Sequence, residues 1–227
     1  MKAVLFDYYF TLAHPESPAS NAAAAALLDG GDHDEVLRVW RTLRAADVER
    51  ALDGEPPPFR TLGQRWADGG AALWEALGVD HEPAHWEACR AASHAHAPLF
   101  DDVAPALDAL RRAGLRIGIV SDADAAWLYA SIERNGLAMD VVVCSEELRC
   151  YKPHRSLFTT ACDAIGVAPR DAAYVGDNPR ADVVGSSNAG MTSVWLNRFG
   201  RPWPDGVEPR PDHEIATLDD LPAALGV

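Results

Sequence analysis

The first apolar run of the chain, Ala3-Val4-Leu5-Phe6, has no polar position and ends on a carboxylate, Asp7. A short run with no solvated face predicts a strand covered on both sides, at the centre of a parallel sheet. From Ala13 to about Pro98 the spacing turns helical and no convincing strand is visible. The pattern predicts helices over 21–28, with Asn21 as N-cap, over 34–52 and over 61–77, then a fourth from Pro83 to about His96. Val36, Leu37, Trp40, Leu43, Val48 and Leu52 carry the second, Gly54-Glu-Pro-Pro-Pro58 ends it, and Gly69-Gly70 weakens the third.

After Pro98 the pattern alternates. Helices are predicted over 103–113, 125–135, 155–165, 182–189 and 218–225, and strands over 115–120, 141–144, 172–175, 192–196 and 214–216. Gly114, Gly136, Gly166 and Gly190 stop the first four of these helices. Strands alternating with helices imply parallel βαβ units. The expected architecture is α/β: a Rossmann-like parallel sheet from residues 1–12 and 99–227, with an α-helical cap, 13–98, inserted after the first strand.

Composition narrows the partners. The net charge is −14, from 20 basic and 34 acidic residues, which argues against nucleic acid or an anionic membrane as ligand. No run of 18 apolar residues is present and the N-terminus has no signal-peptide pattern, so a cytoplasmic protein is expected. Four cysteines, Cys89, Cys144, Cys150 and Cys162, show no metal-type pairing and are expected to be free thiols. Lysine occurs only at Lys2 and Lys152. Oligomeric state is left at monomer or homodimer.

Polar groups then fall at or near predicted strand ends: Asp7 with Thr11, Ser121, Lys152, and Asp177 with Asp182. In open α/β sheets ligands bind outside the carboxyl ends of the strands. Taken singly, each has a plain structural role: a turn, a helix cap or a solvated loop lysine. Their convergence on one sheet edge favours chemistry.

Together they resemble the haloacid dehalogenase superfamily of hydrolases with a helical cap. The resemblance is carried by Phe6-Asp7-Tyr8-Tyr9-Phe10-Thr11-Leu12, Ile119-Val120-Ser121, Tyr151-Lys152-Pro153 and Val175-Gly176-Asp177-Asn178-Pro179-Arg180-Ala181-Asp182, and it covers essentially the whole chain. It implies that Asp7 is a nucleophile and that Asp7, Asp177 and the backbone oxygen of Tyr9 hold Mg²⁺, with Asp182 supporting that ion directly or through water. It implies that Ser121 and Lys152 stabilise the phosphoryl oxygens of a small phosphorylated substrate, with Asp122 and Asn178 beside them.

One position departs from the pattern. Phosphatases of this family usually carry a second Asp two residues after the nucleophile, and here it is Tyr9. Tyrosine donates a proton but is a poor base at neutral pH. Phe10 adds bulk where the family most often has Gly. Three further readings follow. The 2-haloacid dehalogenase branch has Tyr at this spacing and uses no metal, in which case Arg38 or Arg41 of the cap holds a carboxylate. The phosphonoacetaldehyde hydrolase branch needs a cap lysine, and residues 13–98 contain none, so it is rejected. The last reading is a binding protein without turnover. Cap histidines such as His81, His85, His94 and His96 are read as solvated or capping groups, and Trp40, Trp66, Trp74 and Trp86 as helix packing, with one of the four a candidate pocket wall.

Overall fold

The computed structural model describes residues 1–28, 33–50 and 58–227, without the side chains of His33 and residues 44–50. The predicted break at Gly54–Pro58 therefore falls almost wholly outside the described residues, as do Leu52 and the side chain of Val48.

Six strands form one parallel sheet in the order β3-β2-β1-β4-β5-β6: β1 Ala3–Phe6, β2 Arg116–Ser121, β3 Val141–Cys144, β4 Ala172–Gly176, β5 Thr192–Leu196 and β6 His213–Ile215. The apolar run is central, as expected, and all four of its residues are buried. Alternation along β1 assigns its side chains to two cores. Val4 and Phe6 join one cluster with Ile117, Ile119, Leu107 and Leu110, while Ala3 and Leu5 join another with Leu157, Phe158 and Tyr174. Sheet helices α5 Val103–Arg112, α6 Ala125–Arg134 and α8 Arg155–Ala164 cover these faces.

Between β1 and α5 lie four helices: α1 Pro18–Ala25, α2 His33–Arg50, α3 Leu62–Leu77 and α4 Pro83–Ala95. α1 starts earlier than expected. Ser17, not Asn21, is its N-cap, accepting from Ser20 N at 3.1 Å, with Pro18 in the first turn. Thr61 and Gln64 form a capping box on α3. Gly69 and Gly70 do not break that helix, because they are close-approach positions. A Cβ on Gly70 would lie 2.2 Å from the Pro83 carbonyl oxygen, and one on Gly69 2.5 Å from the Trp40 ring. The helix accepts about 1 kcal/mol per glycine relative to alanine in exchange for this approach.

Two shorter elements were not legible in the periodicity: α7 Ser145–Leu148 and a π-helical turn, Pro179–Val184, that precedes α9 Gly185–Ala189. The continuous helix expected over 182–189 is divided at that point. The chain closes with a 3₁₀ turn, Leu218–Asp220, and α10 Leu221–Leu225. No disulfide joins the four cysteines. Among the described residues no helix is long and apolar enough to cross a membrane.

The helical block is fastened to the sheet layer by polar contacts. The Asp124 carboxylate accepts from Leu62 N and Gly63 N at 2.8 and 2.9 Å, so the first turn of α3 is capped by a residue preceding α6. Trp66 of α3 stacks on Trp127 of α6 with ring centroids 5.1 Å apart, while within the sheet layer the Tyr8 hydroxyl donates to Ser131 Oγ at 2.9 Å.

A second fastening joins the chain's distant parts. Arg198, just after β5, forks onto Asp102 at 2.6 and 2.9 Å and donates to Thr11 O at 2.9 Å. Asp102 also accepts from Thr217 Oγ1 and Leu218 N. Asp102→Ala strands the Arg198 charge and two donors in a nearly buried setting, a change worth about 3 kcal/mol. Denaturant unfolding should show a lower midpoint at unchanged slope; a midpoint within error of the parent would remove this pair from the stability account.

Candidate active site

The strand register brings the polar groups together. Phe6 pairs with Ile119 of β2 and Val175 of β4, so Asp7, Ser121 and Asp177 all emerge within two residues of that level, at the carboxyl edge. Asp7 N still donates to Val175 O at 2.8 Å, which extends the ladder into the site and fixes the carboxylate. Lys152 arrives from the segment between α7 and α8, its N–H donating to Asp122 Oδ1 at 2.9 Å.

The cavity above this edge has a volume of about 440 Å³. Its wall includes Asp7, Tyr9, Ser121, Asp122, Lys152, Asp177, Asn178 and Asp182. Thus every residue that the phosphatase reading assigns to catalysis, metal or substrate lies on one cavity, Thr11 excepted. Thr11 is fully buried off the cavity wall, its Oγ1 has no hydrogen-bond partner among the described residues, and its carbonyl accepts from Arg198.

Lys152 is the hub. Its Nζ lies 2.8 Å from Asp7 Oδ1, 2.7 Å from Asp182 Oδ1 and 3.1 Å from the Tyr174 hydroxyl. Burial works against the ammonium, but Asp182 and Asp7 outweigh it and hold the group charged well above its ordinary range. Tyr174 in turn donates to Val120 O at 2.7 Å. Asp182 is fully engaged, since its Oδ2 accepts from Asn178 N at 2.8 Å. Gly176 leaves room for it: a Cβ there would lie 2.3 Å from Asp182 Cγ.

Asp177 stands differently. Its carboxylate makes no hydrogen bond or ion pair among the described residues, and it lies with Asp7 and Asp182 in a set whose ligand oxygens fall within 4.8 Å of one another. Burial, together with Asp182 and Asp7, pushes Asp177 up to about 8. Burial also raises Asp7 to about 6, with Lys152 pulling it down and Asp182 raising it further. Asp122 is pushed up to about 7, again by burial first. An unpaired carboxylate beside two others is a site short of positive charge. Hard oxygen donors of this kind suit a divalent cation such as Mg²⁺.

The aromatic groups beside the nucleophile are committed elsewhere. The Tyr9 hydroxyl reaches the His94 carbonyl at 3.4 Å, and the two rings meet edge-on at 4.5 Å. Burial, with Tyr8 and Asp7 adding to it, holds Tyr9 protonated well above its ordinary range. Phe10 has a φ of 66°, a left-handed conformation that costs a non-glycine residue of order 1 kcal/mol, and its side chain joins the cavity wall.

Neither cap arginine reaches the cavity. Arg38 pairs with Glu35 at 3.2 Å and Arg41 with Glu16 at 2.5 Å, both in exposed settings. The four tryptophans of the helical block pack among helices and none lines the cavity.

Three wall or support residues were missed in the sequence. His94, read as solvated or capping, is buried on the wall; its Nδ1 donates to Arg90 O at 2.8 Å, so the neutral ring keeps its Nε2 lone pair. Tyr174, an aromatic with a hydroxyl inside an otherwise apolar strand, carried a usable signal, because such a group buries with a partner. Arg201, in the Gly- and Pro-rich stretch after β5, had none.

Residues 1–190 match the family described as haloacid dehalogenase-like hydrolase. The chain belongs to that family and is a hydrolase. Over 238 residues it is 30% identical to glyceraldehyde 3-phosphate phosphatase of Methanopyrus kandleri, covering 99% of this chain and 95% of that protein. It is 26% identical over 226 residues to (S)-2-haloacid dehalogenase 4A of Burkholderia cepacia, covering 96% and 89%. A Bacillus subtilis hydrolase of the same superfamily, solved bound to magnesium, superposes with a TM-score of 0.83 over 100% of this chain and 99% of that one. At 20% identity, that last likeness shows the fold alone.

The raised carboxyls carry a pH signature. Asp7, Asp122 and Asp177 titrate in the fold at about 6, 7 and 8, above the ordinary carboxylate range. The folded state therefore holds protons that the unfolded chain has lost, and metal-free stability falls as pH rises from about 5 to about 8. Thermal melts should show this fall without divalent cation, and added Mg²⁺ should stabilise more at the alkaline end. A metal-free melting temperature that is level or rising over that interval would contradict the assignment.

Proposed function

We propose that the protein is a Mg²⁺-dependent hydrolase that takes the phosphoryl group of a small phosphorylated metabolite onto Asp7. The observation that supports it above the others is the unpaired Asp177 carboxylate next to Asp7 in a buried, cation-deficient set. In a metal-free dehalogenase two more carboxylates beside the nucleophile would repel it and an anionic substrate. The cap arginines proposed for a haloacid carboxylate also point elsewhere.

On this reading, Asp7, Asp177 and the Tyr9 carbonyl hold the ion, and Asp182 positions Lys152 and Asn178 rather than binding metal itself. The bound ion supplies charge neutralisation at the phosphoryl oxygens. Lys152 leaves one Asp7 oxygen, Oδ1, engaged, so the other attacks phosphorus in line with the leaving oxygen. Lys152 and Ser121 receive the equatorial oxygens. The P–O bond to the leaving group breaks as the Asp7–phosphorus bond forms. Water then attacks phosphorus, releasing inorganic phosphate and restoring the Asp7 carboxylate. Residues 13–98 act as a cap that excludes bulk water from this exchange.

Tyr9 supplies no general base and withholds its proton, so good leaving groups are favoured. A positioned carboxyl is worth about 10² to 10⁴ in rate. Among aryl and alkyl phosphates the parent kcat/KM should fall steeply as leaving-group pKa rises. Tyr9→Asp should flatten that dependence by accelerating the alkyl esters about 100-fold; an equally steep profile would show that another group already protonates the leaving oxygen.

Phosphate release from a broad ester panel, with Mg²⁺ and with EDTA, tests the reading itself. Release that requires Mg²⁺ is expected. Halide release from 2-haloacids that persists in EDTA would replace it with the dehalogenase reading, which Tyr9 and the Burkholderia cepacia relative favour.

A further inference from the structure

The cavity wall carries four carboxylates, Asp7, Asp122, Asp177 and Asp182, and two cations, Lys152 and Arg201. Lys152 is consumed by Asp7 and Asp182. The Arg201 guanidinium has no hydrogen bond or ion pair among the described residues. It lies over the Phe199 ring, 5.1 Å from the centroid, and its charge draws the Asp177 carboxyl down.

The backbone that presents this cation is tightly held. Asn197 Oδ1 accepts from Arg201 N at 2.8 Å, and Asn197 Nδ2 donates to Arg201 O at 2.9 Å, so one side chain brackets the residue on both sides. The same Nδ2 donates to Glu214 at 2.8 Å, and Asn197 N donates to Ile215 O at 2.8 Å, which ties the bracket to β6. Gly200, at φ 61°, makes the turn. The bracket fixes the backbone that carries Arg201, whose exposed side chain joins the cavity wall. Asn178 adds a second donor on the wall. Its Oδ1 accepts from Arg180 N and Ala181 N, both at 3.0 Å, which orients the amide and leaves Nδ2 without a partner among the described residues.

We propose that Arg201, with Asn178 Nδ2, binds a second anionic group of the substrate, so that the preferred substrate is a phosphate monoester bearing a further carboxylate or phosphate. The proposal rests on the phosphatase reading for what happens at Asp7. A guanidinium fork matches either anion, and in a wall this acidic a second negative charge is tolerated only where a cation is reserved for it. Arg201 is then the specificity residue, supplied by the loop after β5 and not by the helical block.

The test uses three esters with similar three-carbon backbones: 3-phosphooxypropionate, propane-1,3-diol bisphosphate and n-propyl phosphate. The parent protein with Mg²⁺ should prefer one or both anionic esters. Arg201→Met should lower kcat/KM for the preferred ester about 10- to 100-fold, mostly through KM, and far more than for propyl phosphate. Arg201→Lys should recover part of the loss, since it keeps the charge but not the fork. The carboxylate and bisphosphate arms tell the two anions apart. Equal losses on all three esters, or none, overturn the proposal while leaving the phosphatase reading standing.

Binding to Asp7→Asn protein, by calorimetry, is the readout independent of turnover. An anionic ester that binds more tightly than propyl phosphate, with the difference removed by Arg201→Met, supports the Arg201 site even if the parent hydrolyses nothing. Equal binding of all three, or a preference that Arg201→Met leaves unchanged, overturns the Arg201 site, whereas the phosphatase reading stands or falls on the ester panel with and without Mg²⁺.

Discussion

A buried ammonium between two buried carboxylates is the interaction on which the rest of this site depends. Lys152 touches Asp7, Asp182 and the Tyr174 hydroxyl at the floor of the cavity. Removing Lys152 would leave two uncompensated charges, a situation far costlier than never having buried them. The surrounding architecture serves this arrangement. β1 carries Asp7 to the sheet edge, β4 carries Tyr174, and Gly176 keeps its α-carbon bare so that Asp182 fits beneath. Asp122 fixes the peptide of Lys152 from the β2 side. Four strands and loops are thereby committed to one ammonium position.

That balance is incomplete by design of the residues themselves. One ammonium does not neutralise Asp7, Asp182 and Asp177 together; burial first, and then the neighbouring carboxylates, raise the titration of Asp7 and Asp177. A divalent cation would bring the sum of these charges to zero, so that a phosphate would meet a neutral floor in place of an acidic one. The same shortfall makes the wall selective, because any further anion on the substrate requires its own cation. The family membership and the two chemistries named among the relatives frame this reading; the carboxylate count is the observation that favours phosphate chemistry.

Much of this was legible in the sequence because it follows from position along strands. Asp7, Ser121 and Asp177 each end or follow an apolar run, so a parallel sheet had to gather them. Lys152 stood out because lysine is so scarce here. What stayed hidden lacks such a signature. Ser17 was passed over as the cap of α1 because the alanine run offered no apolar face to mark its start. Tyr174 lies inside the predicted strand 172–175, where its hydroxyl hints at a buried partner but does not name Lys152, far away in sequence. Arg201 sits in a segment without periodicity, where nothing distinguishes a bracketed arginine from a solvated one. Arg38 and Arg41 were candidates by residue type alone, and exposed acids on their own surface claim them.

The central claim is that displacement at this site takes place at phosphorus and not at carbon, and oxygen tracing tests it most directly. Turnover of the best phosphate ester in heavy-oxygen water, followed by mass analysis of the released phosphate and of the peptide containing Asp7, follows the attacking water. Attack at phosphorus predicts labelled phosphate and an unlabelled Asp7. Heavy oxygen accumulating in the Asp7 carboxylate over repeated turnovers would mean that water attacks the carboxyl carbon, and would place the chemistry at carbon instead.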